Sequence, residues 1–565
     1  MIKRALLLVG LLWLPNSAGA AFPEPERSET AMVVSAHPLA SEAGREMLER
    51  GGNAVDAAVA TTFAISVVEP FSAGIGGGGF LLRYDAETQQ VTSLDFRERA
   101  PLAATETMYL DESGEPIDRS SLDGHRAAGV PGTVAGMYDV HQRYGSLPWE
   151  TVVQPALTLA QDGFPVSRRF VRAVERRREM LLSNPAATAA FTRNGEFYAV
   201  GDTLVQTDLA ATLERIATDP ESFYTGDIAR AIAADMDANG GLVTMEDLAA
   251  YRPVWRDPVC GPFRQVRVCA MAPPSSGGVH LLQILNILGD TEIESWGWHH
   301  PDALHLLVEA MRVAYADRAE YLGDPDFVEV PVAELTSPDY AELRRESIDP
   351  ERATPSSEVK PADEETLRRL RESRETSHLT VVDGDRNAVS LTFTVNGGFG
   401  AGVVAAGTGI LLNNEMDDFS IAPGVPNLYG LVGGEANAIE AGKTPLSSMT
   451  PTIVTENGRL RMALGAPGGS TIITTVLQVL LNVVLYDMDA GEAVAAPRLH
   501  HQWLPDRVIV ERWGFDAATT EALENRGHEL TVWDGWGNAN AVVVTPEGTL
   551  EGAADPRGEG IALGF

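Results

Sequence analysis

Cysteine is almost absent from this chain of 565 residues, with only Cys260 and Cys269 present. That excludes a disulfide scaffold, a four-cysteine zinc site and a cysteine-held iron–sulfur cluster, so stability has to come from packing. The two cysteines flank the strand-like stretch 262–268, a placement compatible with a local disulfide and equally with two buried thiols. Positive charge is scarce as well. Lys and Arg number 43 against 79 Asp and Glu, a formal charge of −36. Such a surface repels phosphate backbones and anionic lipids, which excludes a nucleic acid as the expected partner. Beyond the amino terminus no uninterrupted apolar run reaches the roughly 20 residues that cross a bilayer, so no stable membrane insertion is expected. No fixed-period repeat is visible, which disfavours a solenoid or propeller. The 11 histidines, His299-His300 and His500-His501 included, match no metal-ligand spacing; no metal and no other cofactor is expected.

What is present is the composition of a folded protein, 44% hydrophobic and 22% charged, long enough for a large core. Lys3 and Arg4, the apolar run 5–14 and Ala18-Gly19-Ala20 follow the order of a secretory signal peptide. Residues 1–20 are therefore read as a leader, and the mature chain as periplasmic or secreted. Helical patterning spans 41–68 with a break at Gly51-Gly52, and recurs at 305–321 and 471–485. Strand-like alternation marks 379–382, 388–395, 507–511 and 541–545. The class is mixed α and β. Gly74-Ile75-Gly76-Gly77-Gly78-Gly79 contains a formal G-x-G-x-x-G, but a helix precedes it and a strand follows, the reverse of a dinucleotide fingerprint. It reads as a tight backbone turn. The polar stretch 354–375 reads as a solvated linker.

Directly after that stretch, 376–382 and 388–396 form two β-branched runs around a turn-rich loop, a hairpin candidate. Pairing Val382 with Ala388 carries the register outward until Thr376 faces Thr394. By itself this is an ordinary cross-strand threonine pair. Gly465-Ala466-Pro467-Gly468-Gly469-Ser470 opens into a long apolar helix, where free N–H groups and the positive helix end favour an anion. No Walker-type lysine follows, so a carbonyl becoming an oxyanion is the better occupant. Two polar clusters, Asn413-Asn414-Glu415-Met416-Asp417-Asp418 and Pro445-Leu446-Ser447-Ser448-Met449-Thr450-Pro451, would each pass alone for a surface turn, and Arg97 for an ion-paired surface residue.

Taken together, these blocks and Pro274-Ser275-Ser276-Gly277-Gly278 resemble the gamma-glutamyltranspeptidases, members of the N-terminal nucleophile hydrolases, over nearly all of the mature chain. The resemblance implies an α+β fold, a four-layer αββα sandwich formed by two chains from one self-cleaved precursor. Residues 21–375 would form the large subunit and 376–565 the small catalytic one, associated as a heterodimer. By the same similarity, the cut falls between Glu375 and Thr376 and frees Thr376 as the nucleophile. Its new α-amine, with an unperturbed pKa of about 7.7–8.0, serves as base. Thr394 supports the nucleophile, and Gly468 and Gly469 form the oxyanion hole. Arg97, Ser447 and Ser448 hold the substrate's α-carboxylate, while Asn396, Glu415 and Asp418 hold its α-ammonium. The stretch 423–434, with Tyr429, resembles a lid over the site. The implied reaction moves the γ-glutamyl group of glutathione and related donors, through an ester on Thr376, to water or to amino-acid and peptide acceptors. Two other readings stand beside it: a related exported amide hydrolase acting on a glutaryl β-lactam or poly-γ-glutamate, and a non-catalytic binding protein on the same fold.

Overall fold

A computed structural model describes residues 23–359, 376–422 and 424–565. The expected leader 1–20, Glu375 and residues 360–374 of the expected linker lie outside them. The strands that position the site are, in chain order, β1 (Glu26–Ser28), β2 (Met32–Ser35), β3 (Gly78–Asp85), β4 (Gln90–Asp95), β5 (Val254–Arg256), β6 (Val259–Phe263), β7 (Val266–Ala270), β8 (Ser377–Val382), β9 (Ala388–Thr394), β10 (Thr452–Glu456), β11 (Arg459–Gly465), β12 (Asn540–Val544), β13 (Leu550–Ala554) and β14 (Ile561–Gly564). They form two seven-stranded antiparallel sheets, ordered β14-β2-β8-β9-β3-β4-β5 and β1-β13-β12-β11-β10-β7-β6.

Helices close both outer faces. Those used below are α1 (Pro38–Glu49), α2 (Ala54–Val68), α3 (Gly277–Leu288), α4 (Pro301–Tyr321) and α5 (Thr471–Tyr486). Alternation along β8 and β9 decides which core each residue joins. Leu379, Val381, Val389 and Leu391 pack with α1 and α2. Val382 and Ala388 join Val454, Met462 and Val542 of the second sheet in a core that continues into α3, α4 and α5. The result is the four-layer αββα sandwich. Helix α2 is buried on all sides, as its unbroken apolar sequence requires. Asn53 and Asp56 close a capping box at its start. Asp383, in the β8–β9 turn, accepts from Ala54 N at 3.0 Å and so fixes the hairpin's far end to that helix.

Three readings from sequence need revision. The glycine run does make a turn, Gly77 N–H donating to Gly74 O at 3.1 Å, but Gly78 and Gly79 already belong to β3. A Cβ on Gly77 would sit 1.9 Å from Thr394 O, and one on Gly79 2.4 Å from Thr392 O. The glycines serve close strand approach beside Thr394. The stretch 262–268 is not one strand: β6 and β7 form a hairpin in which Cys260 lies opposite Cys269, and the two form a disulfide. Finally, the described start of the expected linker is anchored through Ser356, although Ser357 and Glu358 are exposed. Ser356 is buried, its N–H donating to Asp506 Oδ2 at 2.7 Å and its Oγ to Trp503 O at 2.6 Å.

Candidate active site

The hairpin has the register read from the sequence: Val382 lies opposite Ala388 and Ser377 opposite Phe393. At its open end Thr376 Oγ1 and Thr394 Oγ1 lie 3.3 Å apart, both residues buried. Thr394 Oγ1 also accepts the N–H of Asn396 at 2.8 Å. Both threonines line a pocket of about 270 Å³ together with Arg97, Asn396, Glu415, Asp418, Tyr429, Ser447, Ser448 and Gly469. Of the residues expected at the site, Gly468 adjoins this lining through Gly469. Glu375 lies outside the described residues.

Each wall has a local cause. Arg97 leaves the end of β4 with its N–H held by Asp95 Oδ1 at 3.0 Å, and Tyr251 donates to its carbonyl at 2.8 Å. Glu415 and Asp418 lie on one 3-10 turn, Glu415–Asp418. Asn413 staples the chain before that turn: its Oδ1 accepts Gly129 N and Glu415 N, and its Nδ2 donates to Gly76 O and Gly129 O. The serine loop rests on the segment before α3, with Ser276 Oγ donating to Ser447 O at 2.8 Å and Ser275 Oγ to Met449 O at 2.6 Å. Ser448 Oγ is buried and has no hydrogen-bond partner among the described residues.

Neither polar cluster is a surface turn, and Arg97 is not a surface residue, being 1% exposed. Its guanidinium pairs with Glu415 and donates to Asp418 Oδ2 at 2.6 Å, with Glu98 at 3.9 Å. Burial opposes its charge, yet Glu415, Asp418 and Glu98 together hold its pKa above the ordinary arginine value. On the acidic side burial dominates. It pushes Glu415 well above the usual carboxylate range, and raises Asp418 and Glu98, against the opposing pull of Arg97. Three carboxyl groups converge on one guanidinium, a surplus that suits an incoming ammonium group while Arg97 suits a carboxylate.

Gly468 and Gly469 have φ of +137° and +55°, which glycine tolerates without a Cβ penalty. They precede α5 directly, and their carbonyls accept Thr471 N at 3.1 Å and Ile472 N at 3.2 Å. No hydrogen bond among the described residues engages the N–H of either glycine. A Cβ on Gly469 would meet the Tyr429 ring at 2.1 Å, so the tyrosine lies directly against this turn. Its hydroxyl donates to Asn396 O at 3.0 Å and is also bonded to Asn396 Oδ1. His378, two residues from Thr376, is no catalytic base. Its nitrogens meet Thr392 Oγ1 at 2.8 Å and Thr380 Oγ1 at 3.0 Å, and burial lowers its pKa to about 3.

Sequence reading assigned no role to Glu98, Arg318 or Gln502. Glu98 stood beside Arg97 in a charged stretch, but nothing local marks it as buried. Arg318, whose Nε donates to Ser276 Oγ at 3.2 Å, was hidden in an amphipathic-looking helix. For a metal, the one candidate group among the described residues is His305, Glu309 and His528, none of which lines the pocket. Its groups are already engaged: His305 Nδ1 with His528 Nε2 at 2.8 Å, and Glu309 with Arg312 and the N–H of Thr354. It is a hydrogen-bonded support.

Two stacked antiparallel sheets between helical layers, with a buried threonine hydroxyl at a strand end sharing its pocket with Gly469 of the glycine turn before α5, define the N-terminal nucleophile hydrolase fold and an enzyme of that class. The comparisons carry this further. The gamma-glutamyltranspeptidase family model matches residues 40–565, and the chain belongs to that family. It is 48% identical over 535 residues to the glutathione hydrolase proenzyme of Escherichia coli (strain K12), covering 94% of this chain and 91% of that one. Cephalosporin acylase from Bacillus halodurans superposes with a TM-score of 0.85 at 29% identity, over 98% of this chain and 99% of that chain. The gamma-glutamyltranspeptidase of Helicobacter pylori is 44% identical with a TM-score of 0.57, over 60% of this chain and 96% of that chain.

Proposed function

We propose that this enzyme is a self-processing γ-glutamyltransferase and glutathione hydrolase. The observation that carries the reading is the Thr376–Thr394 hydroxyl pair, set in a pocket whose wall offers both a guanidinium and a surplus of carboxylates. A γ-glutamyl donor has a matching zwitterionic head on a two-methylene arm. Gripping the α-carboxylate with Arg97, Ser447 and Ser448, and the α-ammonium with Asn396, Glu415 and Asp418, sets the γ-carbonyl against Thr376.

Activation precedes catalysis. Thr376 Oγ1 attacks the Glu375 carbonyl carbon, the C–N bond breaks, and the acyl group passes from nitrogen to oxygen. Water then hydrolyses that ester, leaving a carboxylate on Glu375 and a free amine on Thr376. In turnover this amine takes the hydroxyl proton as Oγ1 attacks the donor. The N–H groups of Gly468 and Gly469 bear the developing oxyanion. Loss of the donor's amine leaves a γ-glutamyl ester on Thr376. Water resolves it by hydrolysis, and an amino-acid or peptide amine resolves it by transfer. The large subunit 21–375 and the small subunit 376–565 stay together as a heterodimer after export to the periplasm or medium.

A glutaryl donor, the substrate type of the acylase reading, lacks the α-ammonium and would leave the carboxyl surplus unanswered. The test is amino-terminal sequencing of the smaller fragment together with rates on a γ-glutamyl anilide and a glutaryl anilide. A fragment beginning at Thr376 and preference for the γ-glutamyl compound are expected. An active, uncut chain would overturn the activation step, and equal rates would overturn the substrate.

A further inference from the structure

Gln502 lies outside the pocket lining, yet its side-chain amide joins three segments around it. Its Oε1 accepts from Ser470 Oγ at 2.7 Å, at the end of the Gly468-Gly469 turn, and meets His500 Nε2 at 2.9 Å. Its Nε2 donates to the carbonyls of Tyr429 and Gly430, both at 3.2 Å, and lies 3.3 Å from Leu504 O. Only this orientation of the amide works, because one side presents hydroxyl and imidazole groups and the other presents only carbonyls. Gln502 is 5% exposed, so these bonds do not compete freely with water.

The attachment falls at the point where the 424–434 loop carries Tyr429 and Leu431 into the pocket lining. Elsewhere the loop is held by Asn427, whose Oδ1 accepts Tyr429 N and Leu431 N at 3.0 and 3.1 Å and whose Nδ2 donates to Asp418 Oδ1 at 3.1 Å, and by Leu428 N, which donates to Asp417 Oδ2 at 2.7 Å. The residue after Gln502 adds a second fastening. Trp503 packs in one apolar cluster with Tyr429, Leu431, Tyr315 and Ile473.

We propose that Gln502 is a positioning residue that clamps the 424–434 loop shut over the pocket and thereby restricts the enzyme to small γ-glutamyl donors. The proposal rests on the substrate reading above for its kinetic consequence, whereas the clamp itself follows from the hydrogen bonds alone. The two faces of the amide have different effects. The Oε1 side steadies the turn before α5, and the Nε2 side holds the loop.

Gln502→Glu separates them, since a carboxylate keeps the acceptor toward Ser470 and places a second acceptor against the Tyr429 and Gly430 carbonyls. With a γ-glutamyl anilide, KM is expected to rise at least fivefold while kcat changes less than KM. Chymotryptic cleavage at 428–431 accelerates by a similar factor, and a γ-glutamyl donor with a bulky leaving group gains relative to a small one. Gln502→Met, which removes both faces, lowers kcat as well. In a variant whose residues 424–433 are replaced by a short Gly-Ser link, Gln502→Glu no longer moves KM. Unchanged KM and unchanged chymotryptic cleavage in Gln502→Glu would overturn the clamp. Should these variants fail to fold, hydrogen exchange on the unaltered enzyme decides: amides 427–431 exchange as slowly as those of 499–504 if clamped, and orders of magnitude faster if not. If no γ-glutamyl compound is turned over, the substrate reading fails, while the cleavage and exchange measurements still judge the clamp.

Discussion

Arg97 donates to Asp418 Oδ2 at 2.6 Å across 321 positions of sequence, with both residues buried. The groups proposed for opposite ends of the substrate thus pair with each other. On the proposed reading, substrate binding would be an exchange of partners, the α-carboxylate replacing Asp418 and Glu415 at the guanidinium while the α-ammonium takes up the released carboxylates. A donor lacking either charge would break one pairing without supplying another, which is costly for a buried group.

Arg97→Ala removes the cation and leaves Glu415 and Asp418 buried without their counter-charge. KM for a γ-glutamyl anilide should rise by about 100-fold, in line with the few kcal/mol that loss of one partner of a buried pair costs. Arg97→Lys, which keeps charge but not the planar fork, should recover part of this. Steady-state kinetics measures both, and an unchanged KM in Arg97→Ala would remove Arg97 from substrate binding.

Thr394→Val keeps the shape of the side chain and deletes the hydroxyl 3.3 Å from Thr376 Oγ1. Slower self-cutting and a fall in kcat of about 10²-fold are expected, the scale of one positioned proton-transfer or oxyanion group, with little change in KM. Thr376→Ala should neither cut nor turn over. Time courses on denaturing gels follow the cut, and a Thr376→Ala chain that still divides would refute self-processing.

His378 gives a pH dependence of stability with a definite sign. Its pKa is about 3 in the folded protein because of burial, against about 6.5 unfolded. Between these values the unfolded chain binds a proton that the folded one does not, so acidification through this window destabilises the fold; above about pH 6.5 the group has no effect. His378→Gln should flatten the dependence of unfolding free energy on pH between 6.5 and 4 by roughly 1.4 kcal/mol per pH unit. Denaturant titrations at several pH values give this slope, and equal slopes in both proteins would show that His378 is protonated when folded.

The Cys260–Cys269 disulfide closes a short loop between paired strands at the edge of the second sheet. In the chain-entropy account, a loop of about ten residues is worth at most about 3 kcal/mol. Cys260→Ser with Cys269→Ser should lower Tm by a few degrees and leave kcat/KM unchanged, since both cysteines lie outside the pocket lining. Loss of activity in the folded double variant would tie this edge to the site.

The parts of this structure that could be read from sequence are those fixed by local periodicity. The β8–β9 register followed from two alternating β-branched runs and the loop between them, and it placed Thr376 against Thr394. Helices α2 and α5 followed from their apolar stretches. What remained hidden depends on distant segments meeting. Ser356 belongs to a polar stretch and is buried only because Asp506, Trp503 and Arg312 supply its partners. Asn413 reads as a turn residue until Gly76 and Gly129 are brought beside it. The glycines at 76–79 are explained by the neighbouring strand's carbonyls, which no local pattern announces.

The pairing of strands across the two sheets has a consequence for how such a molecule can be made. Strands β2 and β3 from the amino-terminal part flank the β8–β9 hairpin, β14 adds to β2, and in the other sheet β1 pairs with β13 and β7 with β10. A polypeptide severed anywhere between Val359 and Thr376 is therefore two interleaved pieces, each lacking neighbours for its own ladders. Synthesised apart, each would expose raw sheet edges and bind itself or its like. Continuity of the gene product through folding, with division only afterwards, is the arrangement that spares both pieces that fate.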